Sequence, residues 1–158
     1  MDVDGNNLPD LPIGRFPVRN QAELELIVSK TLAYDTKTYG GTAVFASDRQ
    51  DVTGVSFKNI SFDMKMRLPS DWDIQRLDLD DLETATARQE LLAAINQGTG
   101  IVSFTGHTNH LRWSGNSLLT IPDVVGFGNI GRPFVVTQWG CWGVFQNQNG
   151  GNYLVQSM

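Results

Sequence analysis

Residues 100–107 read Gly-Ile-Val-Ser-Phe-Thr-Gly-His, a short apolar run that ends on a glycine and a histidine. A run of this length between turn-forming residues predicts a strand over 100–104 that is buried on both faces. The glycine before the histidine lets the chain turn sharply where the strand ends. The stretch therefore predicts a central strand that carries an imidazole, that of His107, to one edge of a sheet.

Two other runs predict strands of the same buried kind. Thr42–Ser47 follows a predicted helix and precedes turn-forming residues, and residues 133–137 form another short apolar run. Residues 60–68 differ, because apolar and polar side chains alternate there with the two-residue period of a half-exposed strand. We expect residues 60–68 to form a strand at an edge of the sheet.

Helix signals separate these strands. The predicted N-caps are Asn20, Asp80 or Asp81, and Thr120. The expected apolar faces are Leu24, Ile27, Val28 and Leu32 on the first helix and Leu82, Ala87, Leu91, Leu92 and Ile95 on the second. Strands that alternate with helices indicate right-handed crossovers, so the sequence predicts an α/β fold with a parallel sheet flanked by helices.

Length and charge exclude several classes of protein. The chain has 158 residues, the size of one domain, and a formal net charge of -5 without a basic cluster, so we expect no nucleic-acid partner. No apolar run approaches the roughly 18 residues of a spanning helix, so we expect no membrane span.

Residues 1–19 are rich in Pro, Asp, Asn and Gly, which predicts an irregular lead-in, and residues 150–158 are typical of a helix that has just begun.

The sequence predicts no metal and no cofactor. Cys141 is the single cysteine, which excludes an internal disulfide and a cysteine-based zinc site. Residues 2–6 alternate like the start of a calcium loop, but position 13 is not the glutamate that such a loop needs. His107 and His110 lie in a predicted loop without nearby acidic ligands, so we expect no metal site at the two histidines. His110 lies in a polar loop with Asn109 and Arg112, which favours a solvated surface residue, with a substrate-facing role as the alternative.

Three chemically active side chains follow the predicted strands. Asp48, His107 and Cys141 each come directly after a strand end, and the carboxyl ends of parallel strands meet at one edge. Neighbouring strands lie about 4.8 Å apart, so these groups can come within bonding reach. An imidazole activates a thiol as a nucleophile, and a carboxylate can fix the tautomer of the imidazole.

Acyl transfer also needs donors for the developing oxyanion, and the backbone N–H groups of Thr108 and Cys141 are the candidates. Alternatives remain open for each residue taken singly, since His107 can be a core histidine and Cys141 packing filler. The nearby tryptophans are expected either to close the core or to wall a peptide cleft; they are Trp113, Trp139 and Trp142.

Two segments resemble a known family. Residues 98–107 read Gly-Thr-Gly-Ile-Val-Ser-Phe-Thr-Gly-His, and residues 131–145 read Gly-Arg-Pro-Phe-Val-Val-Thr-Gln-Trp-Gly-Cys-Trp-Gly-Val-Phe. Together they resemble the catalytic segment of the gingipain-type cysteine peptidases, peptidase family C25, in which a Gly-His-Gly precedes a Pro-Phe strand that ends in Ala-Cys. Residues 12–24 are also similar to the Gly-Arg-x-Pro segment that precedes a helix in that family.

The resemblance implies a caspase-like fold and a cysteine endopeptidase that hydrolyses polypeptides through a thioester acyl-enzyme. By position, His107 is the general base and acid, Cys141 the nucleophile, and Asp48 the nearest match to the acidic residue that orients the histidine. The resemblance also implies a secreted or cell-surface protein. Residues 1–158 would then be a fragment of the catalytic domain whose C-terminal part is missing, cut from a longer precursor.

Two departures from the family pattern motivate an alternative. Thr108 stands where the family has a glycine after the histidine, and Trp139-Gly140 replaces small residues before the cysteine. The Cβ of Thr108 restricts the approach of a substrate. The alternative is a catalytically impaired gingipain-like domain that acts as a binding or structural module of a secreted or surface protein.

Overall fold

The computed structural model describes residues 14, 16, 18–36, 41–141, 154 and 158. Its helices are α1 (Gln21–Asp35), α2 (Phe57–Lys65), α3 (Thr84–Gln97) and α4 (Ile121–Val125). Its strands are β1 (Thr42–Ser47), β2 (Asp73–Asp78), β3 (Ile101–Thr105), β4 (Arg112–Trp113), β5 (Leu119–Thr120) and β6 (Val135–Trp139). Among these described residues, no helix combines the length and hydropathy needed to cross a membrane.

Four strands form one parallel sheet in the order β2-β1-β3-β6, which confirms the predicted α/β fold. One row of paired residues crosses the sheet at its carboxyl edge. Ser47 lies opposite both Asp78 and Thr105, and Thr105 lies opposite Trp139. All four strands therefore deliver the residues that follow them to the same edge.

The core lies between the sheet and helix α3. Apolar side chains of β1 and β3, among them Val44 and Phe104, are buried together with Ala87, Leu91 and Ile95 of α3. Burial of each such side chain stabilises the fold by about 1.5–3 kcal/mol.

Trp113 is fully buried, and its ring stacks on that of Phe104 with centroids 4.9 Å apart and planes 7° apart. Its indole N–H donates to Gln138 Oε1 at 2.6 Å. The stacking and this hydrogen bond tie the loop after β3 to the core and to β6. Trp113 is therefore a core residue, which is one of the two roles that the sequence left open for the three tryptophans.

The strand predicted over residues 60–68 is wrong. Most of that segment belongs to helix α2, whose N-cap Ser56 accepts a hydrogen bond from the N–H of Asn59. The helix buries Ser61, while the alternating apolar residues Ile60 and Phe62 are exposed. The helix buries a small polar side chain and exposes large apolar ones. The apolar residues therefore do not mark its buried face in the sequence.

The edge strand is β2 instead, in a segment for which the sequence predicted none. Its residues read Asp-Ile-Gln-Arg-Leu-Asp, and only the last two are buried. β2 pairs in parallel with β1 along its whole length. A polar strand of this kind is recognised by its pairing rather than by its hydrophobicity.

Two helix caps are predicted correctly, and each forms within the first turn of its helix. Asn20 accepts a hydrogen bond from Glu23 N–H at 3.0 Å, and Thr120 forms a capping box with Asp123. The cap at Asp80 or Asp81 is wrong, because α3 begins after Glu83. Asp80 accepts a hydrogen bond from the Gln50 N–H, and Asp81 pairs with Lys58, so tertiary contacts use both carboxylates.

Further predictions need correction, and others concern residues that the structure does not describe. The strands predicted over 100–104 and 133–137 are present but begin later, as β3 and β6. The burial predicted for 133–137 is wrong, because β6 lies at the end of the described sheet and its residues are half-buried or exposed. The apolar face expected on α1 is not buried: Leu24, Val28 and Leu32 are exposed. Most of the lead-in, the loop at 2–6, Trp142 and most of 150–158 lie outside the described residues.

Candidate active site

Strand pairing brings the histidine and cysteine segments to one place. Thr105 lies opposite Trp139 in the pairing of β3 with β6, and His107 and Cys141 each follow that pair by two residues. The pairing continues past the strand ends, because Gly106 N–H donates to Trp139 O at 3.1 Å. The hydroxyl of Thr108 then donates to the carbonyl oxygen of Cys141. The two segments therefore lie side by side at the carboxyl edge of the sheet.

Glycine is required at both positions that precede these residues, for a steric reason. A Cβ on Gly106 would lie 2.3 Å from the Cβ of Asp48, and a Cβ on Gly140 would lie 2.4 Å from the carbonyl oxygen of Gly106. Both distances are shorter than any tolerated contact. The sequence predicted these glycines as turn residues, but the structure shows that they allow three strand ends to approach one another.

The imidazole of His107 lies at the surface beside a carboxylate. Its side chain is 62% exposed, and its ring meets the edge of Phe57 with centroids 5.1 Å apart. Asp51 Oδ2 lies 3.7 Å from Nε2 of His107, which is too long for a hydrogen bond but within the distance of an ion pair with a protonated ring. Asp51 is therefore the acidic neighbour of the ring in the described part of the chain.

The Asp51 carboxylate is held in its loop by hydrogen bonds to one oxygen. Oδ1 accepts from the hydroxyl of Thr53 at 2.7 Å, from Thr53 N–H at 2.8 Å and from Val55 N–H at 3.0 Å. The hydroxyl of Thr53 is the main cause that lowers the pKa of Asp51, followed by Val55 N–H, and the charge of His107 contributes in the same direction. Asp51 thus remains a carboxylate, with Oδ2 free of these bonds.

Sequence reasoning missed Asp51. The usable signal was the run Asp51-Val-Thr-Gly soon after β1, since an aspartate that bonds the N–H two residues on forms an Asx turn. Such a turn fixes the carboxylate, but which ring the carboxylate faces depends on the path of the whole loop.

Asp48 is buried, with 5% of its surface exposed, and bonds the main chain of His107. Oδ2 accepts from His107 N–H at 3.2 Å. Oδ1 accepts from the Ser114 hydroxyl at 2.8 Å and from Arg49 N–H at 2.9 Å. The role predicted for Asp48, to orient the ring, stays a prediction, while the contact in the structure is to the backbone.

The predicted oxyanion donors lie at the same edge. Thr108 pairs with Trp113 in an isolated antiparallel bridge whose flanking bonds use His107 O and Asn109 N. Within the described part of the chain, no hydrogen bond engages the N–H of Thr108. Cys141, the second predicted donor, is exposed.

The other two candidates near this edge, His110 and Trp139, lie at the surface. His110 is exposed, and its carbonyl oxygen accepts from Leu154 N–H at 2.9 Å. Trp139 is 55% exposed beside Cys141. In the ranges that the structure describes, no three His, Cys, Asp or Glu side chains form a group suited to a metal ion.

Comparison with known sequences identifies the family of the chain. The sequence model of peptidase family C25 matches residues 1–157, which is nearly the whole chain. No curated protein and no solved structure matches the chain. The four-stranded parallel sheet flanked by helices is consistent with a caspase-like fold. A parallel sheet with histidine and cysteine segments at one edge, together with a match of this extent, shows that the chain belongs to peptidase family C25, a family of cysteine peptidases.

Proposed function

We propose that the protein is a cysteine endopeptidase that hydrolyses polypeptides through His107 and Cys141. The observation that carries this proposal is the register of β3 with β6, which aligns the two residues at the carboxyl edge of adjacent strands. Both lie at the surface, where an extended peptide has access.

The reaction proceeds in two steps. His107 accepts the proton of the Cys141 thiol, and the sulfur attacks the carbonyl carbon of the scissile peptide bond. His107 then gives that proton to the departing amine, which leaves a thioester. Water, deprotonated by the same imidazole, hydrolyses the thioester and regenerates the thiol.

Two neighbouring groups support this chemistry. The Asp51 carboxylate, 3.7 Å from the ring, stabilises the imidazolium that forms when the thiol is deprotonated. The N–H groups of Thr108 and Cys141 donate to the oxyanion of the tetrahedral intermediate. Asp48 remains the alternative partner of the ring, as the sequence predicts.

Cleavage of an unfolded polypeptide tests the proposal. We expect the wild-type protein to release peptides, detected by mass spectrometry, and Cys141→Ala and His107→Ala to lose the activity by at least about 10³-fold. His110→Ala is the matched control, because it removes the other histidine of the chain from the same loop. Equal cleavage by the wild type and Cys141→Ala contradicts the proposal.

One observation favours the second candidate, a catalytically impaired domain that acts as a binding or structural module of a secreted or surface protein. The side chain of Thr108 lies against the backbone of Gly140 and bonds the carbonyl of Cys141, which narrows the approach to the sulfur. Under this alternative the wild type cleaves nothing, whereas Thr108→Gly opens the approach and gains activity.

A further inference from the structure

The backbone of His107 is fixed on both sides by buried partners. Its N–H donates to Asp48 Oδ2 at 3.2 Å, and its carbonyl oxygen accepts from Ser114 N–H at 2.9 Å. Asp48 and Ser114 are 5% and 2% exposed, so water does not compete for these bonds.

Ser114 also closes the arrangement into a ring. Its hydroxyl donates to Asp48 Oδ1 at 2.8 Å and accepts from Asn116 N–H at 3.1 Å. The hydrogen bonds form a closed ring. The Asp48 carboxylate bonds the His107 N–H, the His107 carbonyl bonds the Ser114 N–H, and the Ser114 hydroxyl bonds the Asp48 carboxylate. We call these three residues, Asp48, His107 and Ser114, the histidine clamp.

The conformation of Ser114 indicates that the surrounding structure holds it there. Its φ of 62° lies in the left-handed region, which costs a non-glycine residue free energy. The serine offsets that cost with a backbone bond to His107 and a side-chain bond to Asp48. Glycine would relieve the strain but would lack the hydroxyl that the clamp uses.

We propose that Ser114 is a positioning residue for the general base, acting through Asp48 and the backbone of His107. This inference rests on the proposed function. The ring of His107 is 62% exposed, with Phe57 at one edge, so few contacts fix it from outside. The clamp instead fixes the Cα from which the ring projects, so the ring reaches the thiol with little reorganisation.

The chain contains a matched control for this test. Ser117 also has a φ of 62° and lies in the same turn, but its hydroxyl accepts from the Arg112 guanidinium outside the clamp. Ser114→Gly and Ser117→Gly make the same chemical change at the same backbone geometry. Only the first removes the hydroxyl that bonds Asp48.

Two readouts separate positioning from a merely structural role. We expect Ser114→Gly to lower kcat about tenfold with little change in KM, and to lower the rate of Cys141 alkylation at about pH 6 by a similar factor. Ser117→Gly should match the wild type, because the Ser117 hydroxyl bonds Arg112 and not Asp48. Equal values for both glycine variants overturn the inference.

Amide hydrogen exchange of the wild-type protein tests the clamp without any variant. We expect the amides of His107 and Ser114 to exchange as slowly as that of Gly106, and fast exchange at either overturns the inference. Failure of the proposed function gives a different result, because alkylation of Cys141 would then not depend on His107 at all. If alkylation of Cys141 depends on His107 but is unchanged in Ser114→Gly, the inference about Ser114 is wrong while the proposed function stands.

Discussion

The histidine side and the cysteine side of the catalytic edge differ in how they are built. On the histidine side, Asp48, Gly106 and Ser114 are buried and cross-bonded. On the cysteine side, Trp139 is 55% exposed and Cys141 is exposed as well. The fold fixes the backbone of His107, the proposed base, whereas Cys141, the proposed nucleophile, is exposed. We expect substitutions of the buried residues on the histidine side to reduce stability and activity together, and substitutions of the exposed side chains of Trp139 and Cys141 to affect activity alone.

Paired tryptophan substitutions test this contrast with the largest expected effect. Trp113→Ala removes a fully buried ring from its stack on Phe104, and we expect a loss of about 4 kcal/mol in the free energy of unfolding. Trp139→Ala removes an exposed ring, and we expect a change within about 0.5 kcal/mol. Urea denaturation of both variants measures the difference, and similar losses would refute the contrast.

Alanine at Gly106 sharpens the comparison on the histidine side. The new Cβ would meet the Cβ of Asp48 at 2.3 Å, so we expect a loss of about 2 kcal/mol together with most of the peptidase activity. Gly115→Ala is the control, because a Cβ there meets nothing within 4 Å. Thermal unfolding and peptide cleavage give the two readouts. If Gly106→Ala has the same stability and peptidase activity as Gly115→Ala, the strand ends do not approach as described.

Asp51→Asn gives the smallest expected change, about a tenfold decrease in kcat, since the ring loses its charged neighbour but keeps its clamp. Asp63→Asn on the exposed side of α2 is the control. An unchanged kcat would leave Asp48, as the sequence predicts, as the partner of the ring.

The same variant has a pH signature in stability. Hydrogen bonds, first that of the Thr53 hydroxyl, lower the pKa of Asp51 in the folded protein. A lowered pKa stabilises the fold above the unfolded-state value, and the stabilisation is lost as pH falls through the folded-state value. We therefore expect wild type and Asp51→Asn to differ in free energy of unfolding at about pH 7, and the difference to shrink progressively as pH falls below about 4. A difference that grows on acidification would contradict this assignment.

Local sequence was sufficient for the parts of the fold that local chemistry determines. β1 is a continuous apolar run, and the Asn20 cap is made within one turn, so both were predicted correctly. α2 was mistaken for a strand because it buries Ser61 and exposes Ile60 and Phe62. No local pattern reveals a helix that packs through a small polar residue.

The candidate site also has residues that the sequence predicts and residues that it does not. His107 and Cys141 follow apolar strands, so topology alone predicts that they share an edge. Asp51 reaches the ring only because its loop folds back over the end of β3, and Ser114 reaches Asp48 from a distant turn. These contacts join residues far apart in sequence, and no spacing rule predicts them.

Alkylation of Cys141 by iodoacetamide tests the central claim most directly, because this is the single cysteine of the chain. If the imidazole of His107 activates the thiol, the wild type and His110→Ala react at the same rate at about pH 6, and His107→Ala reacts about tenfold more slowly. Equal rates for all three proteins would show that sulfur and imidazole do not act together.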